Sequence, residues 1–332
     1  VGERTARDPA PVAWPGGHRF AFTIFDDTDG TTVASGRPVY DLLGGHGLRI
    51  TKSVWPLGPE RPPSVGGQSC DDPDYLAWVR DLEAAGHEIG YHHASDHSSD
   101  RARTRRALDR FRELFGADPR AGADHAGNVE SLAGGSDRLT GVRRAAYRAA
   151  ERWKAPDRPR FSGADPASPW FWGDLCRERI TYWRSLTFAV TDLFDVCRHV
   201  PFHDPSRPFV DQWFLSADAP RADLLLARLR PAALDRLERQ GGLCILYTHL
   251  GLDLVEDGRV RPELVAAVAD LAGRDAWFAP VSEVLDHVRS VRGDHVLTGG
   301  ERRRLEWRWL ADRARAGERL GPRVATHGRE AW

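Results

Sequence analysis

Four apolar runs in this chain end in side chains able to bind a metal or move a proton. Arg19–Phe25 ends in Asp26 and Asp27, Glu88–Tyr91 in His92 and His93, Arg120–Ala123 in Asp124 and His125, and Gly242–Thr248 in His249. If these runs are parallel strands, their C-terminal ends share one rim, and catalytic groups gather on such a rim. The adjacent carboxylates of Asp26 and Asp27 repel one another unless a cation or strong hydrogen bonds offset the cost. His92, His93 and His97 follow a strand and precede a helix, and imidazole is the commonest ligand for borderline metals. Two of these histidines with an aspartate from the first strand make a His₂-Asp set that leaves positions open, as a catalytic ion requires. The chemistry expected is hydrolysis at a metal centre.

The elements that must position these groups are legible in the pattern. Phe20–Phe25 is continuously apolar, as in a strand buried on both faces. Val33–Leu43 has helical spacing, and Leu48–Trp55 reads as a second strand. Asp72 and Pro73 open a helix running to Ala85, with Gly86 after it. His87–Tyr91 is a third strand, and Asp100–Phe115 an amphipathic helix with arginines on its solvent side. Arg120–Ala123 is a short fourth strand. The stretch Asn128–Trp153 reads as two helices broken around Gly134 and Gly135. Short strands are expected at Arg179–Trp183 and Thr187–Val190, within a region rich in Pro, Trp and Phe. Helices over 221–229 and 231–240, a strand at Leu243–Thr248, a helix at Pro262–Ala272, a strand at Trp277–Ala279 and a helix at Pro280–Arg289 complete the alternation, and Glu301–Arg315 is a further charged helix. Strands alternating with helices argue for a parallel barrel or open sheet. The expected organisation is an arm over 1–17, a catalytic domain over 18–292 and a helical extension over 293–332.

Composition narrows the partners. A chain of 332 residues with 41% hydrophobic and 29% charged residues and a formal net charge of -1 is a globular protein without bulk attraction to nucleic acid or anionic lipid. No run is long enough to span a bilayer, and Val1–Gly17 lacks an apolar core of signal-peptide length, so a cytoplasmic location is expected. Cys70, Cys176, Cys197 and Cys244 form no CxxC pair and read as reduced thiols. Neither a phosphate-binding glycine loop nor a GxSxG elbow occurs. The aromatic-rich strings Ser168–Asp174 and Pro208–Trp213 suit the faces of a sugar ring.

Ile24-Phe25-Asp26-Asp27 resembles the Thr-Phe-Asp-Asp motif of the polysaccharide deacetylases (carbohydrate esterase family 4, the nodulation-protein-B homology group). Gly90-Tyr91-His92 through His97 approximates their Gly-x-His-Thr/Ser-x-x-His pattern, and Leu243–His249 resembles their last apolar-strand motif. The resemblance spans roughly residues 18–290 and implies an α/β fold, a distorted (β/α) barrel with fewer than eight parallel strands. It implies Asp26 as general base, Asp27, His92 and His97 as metal ligands, with His93 as the alternative to His92, and His249 as the acid that protonates the departing amine. His93 to His97 has the family's spacing, whereas His92 holds the usual position relative to Gly90. The family's Arg-x-Pro-aromatic motif is replaced by Arg120–Asn128, where His125 and Asn128 are candidate substrate contacts. Trp172, Asp174 and Trp213 are further candidates, Asp174 or Asp211 filling the family's Asp-Trp pair. The implied cofactor is a divalent ion, zinc first, with Co, Ni, Fe or Mn as alternatives. The implied activity is removal of an acetyl group from an N-acetylated sugar of a glycan or glycoconjugate precursor. The alternatives are an amidase or deformylase acting on a small amide with the same metal site, and a catalytically silent glycan-binding protein.

Overall fold

The computed structural model describes residues 9–125, 127–154 and 160–315. Its elements are β1 (Phe20–Asp26), α1 (Val33–Gly45), β2 (Thr51–Val54), α2 (Pro73–Ala84), β3 (Glu88–Tyr91), α3 (Arg101–Phe115), β4 (Ala121–Gly122), α4 (Gly141–Lys154), α5 (Gly173–Arg179), β5 (Tyr182–Phe188), β6 (Gln212–Asp218), α6 (Ala222–Arg228), α7 (Pro231–Gln240), β7 (Leu243–Thr248), β8 (Val255–Glu256), β9 (Arg259–Val260), α8 (Pro262–Ala272), β10 (Ala276–Phe278), α9 (Val281–Arg292) and α10 (Gly299–Arg315).

Strands β1 to β7 pair in chain order, all parallel, and β7 closes on β1 from Ala21↔Leu243 to Asp26↔Thr248. The result is a closed parallel barrel of seven strands, in agreement with the expected distorted (β/α) barrel. The short β10 shares the edge of β1 with β2: β10 takes Phe20–Phe22 and β2 takes Phe25 and Asp26. The two-stranded β8 and β9 ribbon lies outside the ring. Every residue of β1, β2, β5 and β6 is buried, because side chains alternate between the barrel interior and the helical layer.

Local signals set most boundaries. Thr32 and Ser35 form a reciprocal cap at the start of α1, and Asp72 accepts from the backbone N–H groups of Asp74 and Tyr75 ahead of Pro73 in α2. Gly116 and Gly241, both in the left-handed conformation, end α3 and α7.

Several expectations change. The strand expected in two pieces between 179 and 190 is one strand, β5, preceded by the unforeseen helix α5, and β6 is an additional barrel strand. The two helices expected over Asn128–Trp153 are one helix, α4, after a 3-10 turn at Gly135–Arg138. Ahead of that turn, the N–H groups of Leu132 and Ala133 donate to the carboxylate of Asp124, each at 2.8 Å, instead of to helical carbonyls. Residues 1–8 of the expected arm and 316–332 of the expected extension lie outside the described residues. Trp14 packs against Phe194 and Trp277, and α10 lies on the barrel through buried Leu305 and Trp309. Among the described residues no helix is long and apolar enough to cross a membrane.

His87, ahead of β3, is 5% exposed and its Nδ1 accepts from the N–H of Ile50 at 3.2 Å. Burial and then Arg49 lower its pKa from the ordinary 6.5 to about 4. A folded pKa below the unfolded one means that the neutral ring stabilises the fold fully above pH 6.5. That contribution is lost as pH falls toward 4, where the unfolded chain binds the extra proton. Urea unfolding at pH 7 and pH 5 should show a loss of about 2 kcal/mol attributable to His87. The His87→Asn protein, which keeps an acceptor for Ile50, should lack that increment, and an unchanged acid limb in this variant would refute the assignment.

Candidate metal centre

The parallel ring brings the ends of β1, β3, β4 and β7 to one rim. Asp26, the last residue of β1, is fully buried, and its partners all come from the fold. Lys52 of β2 places Nζ 3.0 Å from Oδ2, Tyr40 of α1 donates to the same oxygen at 2.8 Å, and the N–H of Leu250 donates to Oδ1 at 2.7 Å. Lys52 has no exposed side-chain surface either. A buried ammonium inside a barrel strand requires a carboxylate partner, and Asp26 is that partner.

Asp27 points elsewhere. Arg184 of β5 donates to both its carboxylate oxygens, at 2.7 and 2.5 Å. The guanidinium lies over the rings of Tyr247, 4.1 Å from the centroid, and Phe25, at 5.2 Å. The register of β5 against β6 shifts between Arg184 and Thr187, an irregularity of the kind that re-aims side chains.

Asp29, two residues further on, meets the histidines. Its Oδ1 is 3.2 Å from Nε2 of His92 and 3.3 Å from Nε2 of His125, and its Oδ2 is 3.5 Å from Nε2 of His249. Potential ligand atoms of Asp29, His92 and His125 all lie within 4.8 Å of one another. Burial raises the carboxyl of Asp29, but the charges and hydrogen bonds of His125, His249 and His92 outweigh it and hold its pKa well below the ordinary range.

Hydrogen-bond partners fix which imidazole nitrogens are available. Nδ1 of His92 lies 3.2 Å from the carbonyl of Ala123, which can only accept, so Nδ1 carries a proton, and Nε2 points toward Asp29, at 3.2 Å, and Asp27, 3.7 Å away. His125 is 1% exposed, packs edge-on against Trp55 and His92, and neither of its ring nitrogens has a hydrogen-bond partner. Burial, reinforced by His92, lowers its pKa against the opposing pull of Asp29. Nδ1 of His249 donates to the carbonyl of Pro220 at 2.8 Å, leaving Nε2 toward Asp29 and the hydroxyl of Tyr247. Burial lowers the pKa of His249, but Asp29 and then Asp27 overcome this and raise it to about 9.

The other expected residues are placed differently. His97 donates from Nε2 to the carbonyl of Arg61 at 3.1 Å and is outside the Asp29, His92 and His125 group. His93 has the left-handed φ of 66°, which turns its ring away from His92. Its Nε2 is 3.1 Å from Asp124 and its Nδ1 3.2 Å from Glu130, and the ring stacks on Trp183. Although burial opposes charge, Glu130 and Asp124 raise its pKa to about 9. Of the two adjacent histidines, His92 therefore faces the aspartates of the first strand end. Asn128 is buried behind His93 and donates to Glu130 at 3.1 Å. Trp172 is fully buried, donating to the carbonyl of Glu130 at 2.7 Å, and Trp213 is 1% exposed under Arg207. A sugar face needs an accessible ring, which neither indole offers. Asp174 is on the outer surface in a bidentate pair with Arg101.

Sequence reasoning passed over Asp29, Lys52 and Arg184 as site-forming residues. Lys52 carried a signal, a charge inside the run read as the second strand, and Asp29 lay in the same acidic turn as Asp26 and Asp27. Nothing local marked Arg184, which meets Asp27 across 157 positions of chain.

The donor set fits a borderline divalent ion: two imidazoles and a carboxylate, with both ring nitrogens of the buried His125 unpartnered. No family model matches the chain, and no curated protein matches it. Among solved structures, it is similar to one described as a polysaccharide deacetylase from Mycobacterium smegmatis, with 18% identity over 87% of this chain and 98% of that one at a TM-score of 0.48. It is similar to a PuuE allantoinase, with 14% identity over 87% and 96% at 0.49. A third, described as a polysaccharide deacetylase from Pseudomonas aeruginosa PAO1, shares 12% identity over 86% and 96% at 0.49.

Proposed function

We propose that this protein is a metal-dependent hydrolase of a non-peptide carbon–nitrogen bond, removing an acetyl group from an N-acetylated sugar. The observation that carries the reading is the buried His125, with both ring nitrogens unpartnered, Nε2 beside Asp29 and the ring edge-on to His92. Asp29, His92 and His125 would hold the ion. A divalent ion bound there supplies Lewis-acid polarisation of an acyl carbonyl.

The remaining roles belong to the chain's own groups. Asp27 is the base: Arg184 fixes both its oxygens, and its Oδ2 is 3.7 Å from His92 at the edge of the ligand group. Asp26 does not take that role, because Lys52, Tyr40 and the N–H of Leu250 enclose its carboxylate. Arg184 thus orients the base, filling the place of the arginine absent from the family-like third motif. His249 is the acid. Its proton on Nε2 faces Asp29 and is available to a departing nitrogen, while the carbonyl of Pro220 holds the ring from behind.

A small linear or cyclic amide is the second reading, favoured by the burial of Trp172 and Trp213, which leaves those rings unable to form a sugar platform. A panel of N-acetylated sugars, N-formylated compounds and cyclic amides with amine detection tests both. Amine release from an acetylated sugar, abolished by a chelator and restored by zinc or cobalt, supports the first. Release from small amides alone supports the second. No release from any member by protein carrying stoichiometric metal refutes the hydrolase. The His249→Gln protein should keep its metal and lose about 10²–10⁴-fold in kcat, the usual contribution of a positioned general acid.

A further inference from the structure

A second group of ligand-type side chains lies away from the rim. His199, in the loop between β5 and β6, His295, past the end of α9, and Glu301, in the first turn of α10, bring potential ligand atoms within 4.8 Å of one another. Helices in this ring run back from the catalytic rim, so the end of α9 lies on the opposite side of the barrel. The two imidazoles stack with centroids 4.0 Å apart and planes 17° from parallel. Both direct Nε2 at the same carboxylate: His295 is 3.2 Å from Oε2, and His199 is 3.7 Å from Oε1, beyond hydrogen-bonding distance.

Helix capping explains only half of this arrangement. Thr298 and Glu301 form a reciprocal capping box, with the N–H of Thr298 donating to Oε2 at 2.8 Å and the N–H of Glu301 donating to Oγ1 of Thr298 at 3.3 Å. Capping therefore uses Oε2 and leaves unexplained why two imidazoles converge on the carboxylate, with His199 facing Oε1. Two stacked imidazoles repel when both are protonated, whereas a divalent cation at their shared edge accepts a lone pair from each and one from Oε1. The side chains are 25%, 25% and 13% exposed, so an ion can reach them from solvent and still be partly shielded.

We infer that His199, His295 and Glu301 form a second, structural metal site for a first-row divalent ion of zinc type, a His₂-Glu set that accepts zinc, cobalt or nickel. The site joins three segments that also meet nearby, where Arg302 of α10 donates to Asp204 at 2.9 Å and the N–H of Leu297 donates to the carbonyl of His203 at 2.8 Å. The chain at 203 bridges to Val296, with the N–H of His203 donating to the carbonyl of His295 at 2.8 Å. Metal binding adds a second tie between α10 and this junction, so the ion fastens α10 to the barrel wall and has no part in the reaction. Binding to the folded chain alone then stabilises it.

The test is zinc stoichiometry of the untagged full chain, stripped with chelator, reloaded with zinc alone and dialysed. The Glu301→Gln protein is the main variant, because glutamine retains the capping box while losing the anionic ligand; His295→Gln is the second. Each should carry one zinc equivalent fewer than wild type and lose part of the zinc-dependent rise in Tm. His125→Ala should lose a different equivalent, so failure of the rim site and failure of this one are read separately. Equal zinc in wild type, Glu301→Gln and His295→Gln overturns the inference.

Discussion

The Asp29→Asn protein is expected to lose its rim metal and its amine-releasing activity together. Asparagine has the shape of aspartate but no charge, and three imidazoles face this carboxylate: His92 at 3.2 Å, His125 at 3.3 Å and His249 at 3.5 Å. The substitution removes a direct ligand, so metal affinity should fall by more than the ~10–100-fold that accompanies loss of an outer-shell partner. It also removes the largest anionic support for the proton on His249, whose pKa is raised to about 9 chiefly by Asp29. Competition with a chromophoric chelator measures the first effect, and amine release at saturating zinc measures what remains. The contrast is His97→Ala. Because Nε2 of His97 is committed to the carbonyl of Arg61, this variant should retain rim metal to within a few-fold. Metal kept by Asp29→Asn and lost by His97→Ala would return the ligand set to the one that the motif resemblance implies.

The largest stability effect is expected from Lys52→Met. The Lys52 and Asp26 side chains are both fully buried, 3.0 Å apart, at the junction of β1, β2 and α1. Removing one partner leaves the other charge enclosed with only Tyr40 and the N–H of Leu250, and breaking such a pair costs about 3–5 kcal/mol. Urea unfolding at pH 7 should show that loss as a shift in midpoint. The paired change Lys52→Met with Asp26→Leu removes both charges and should recover much of the stability, because most of the cost lies in the unpaired charge. A loss under 1 kcal/mol for Lys52→Met would mean that Asp26 is not held by this pair, and would reopen its assignment as the base.

The barrel was largely legible before folding was considered. A strand covered on both faces is most often apolar along its length, so Phe20–Phe25 and Leu243–Thr248 identify themselves, and capping residues such as Asp72 mark helix starts through short-range bonds. Strand β6 was not legible in that way. Its string Gln212–Asp218 mixes polar and apolar residues inside a region dense in aromatics, and only its place between β5 and β7 buries all of it.

The candidate site divides along the same line. The sequence by itself determined that carboxylates and histidines collect at the ends of parallel strands, since a strand end is a local property and parallel order brings such ends to one rim. Only the tertiary structure decided which of them face one another. Asp26 and Asp27 are neighbours of the same residue type, and what separates them is Lys52 reaching one and Arg184 the other, from strands 26 and 157 positions further along. His92 and His93 are divided likewise, by the carbonyl of Ala123 on one side and by Asp124 and Glu130 on the other. Burial makes each of these long-range pairings obligatory, because an enclosed charge without a partner costs more than the fold can sustain.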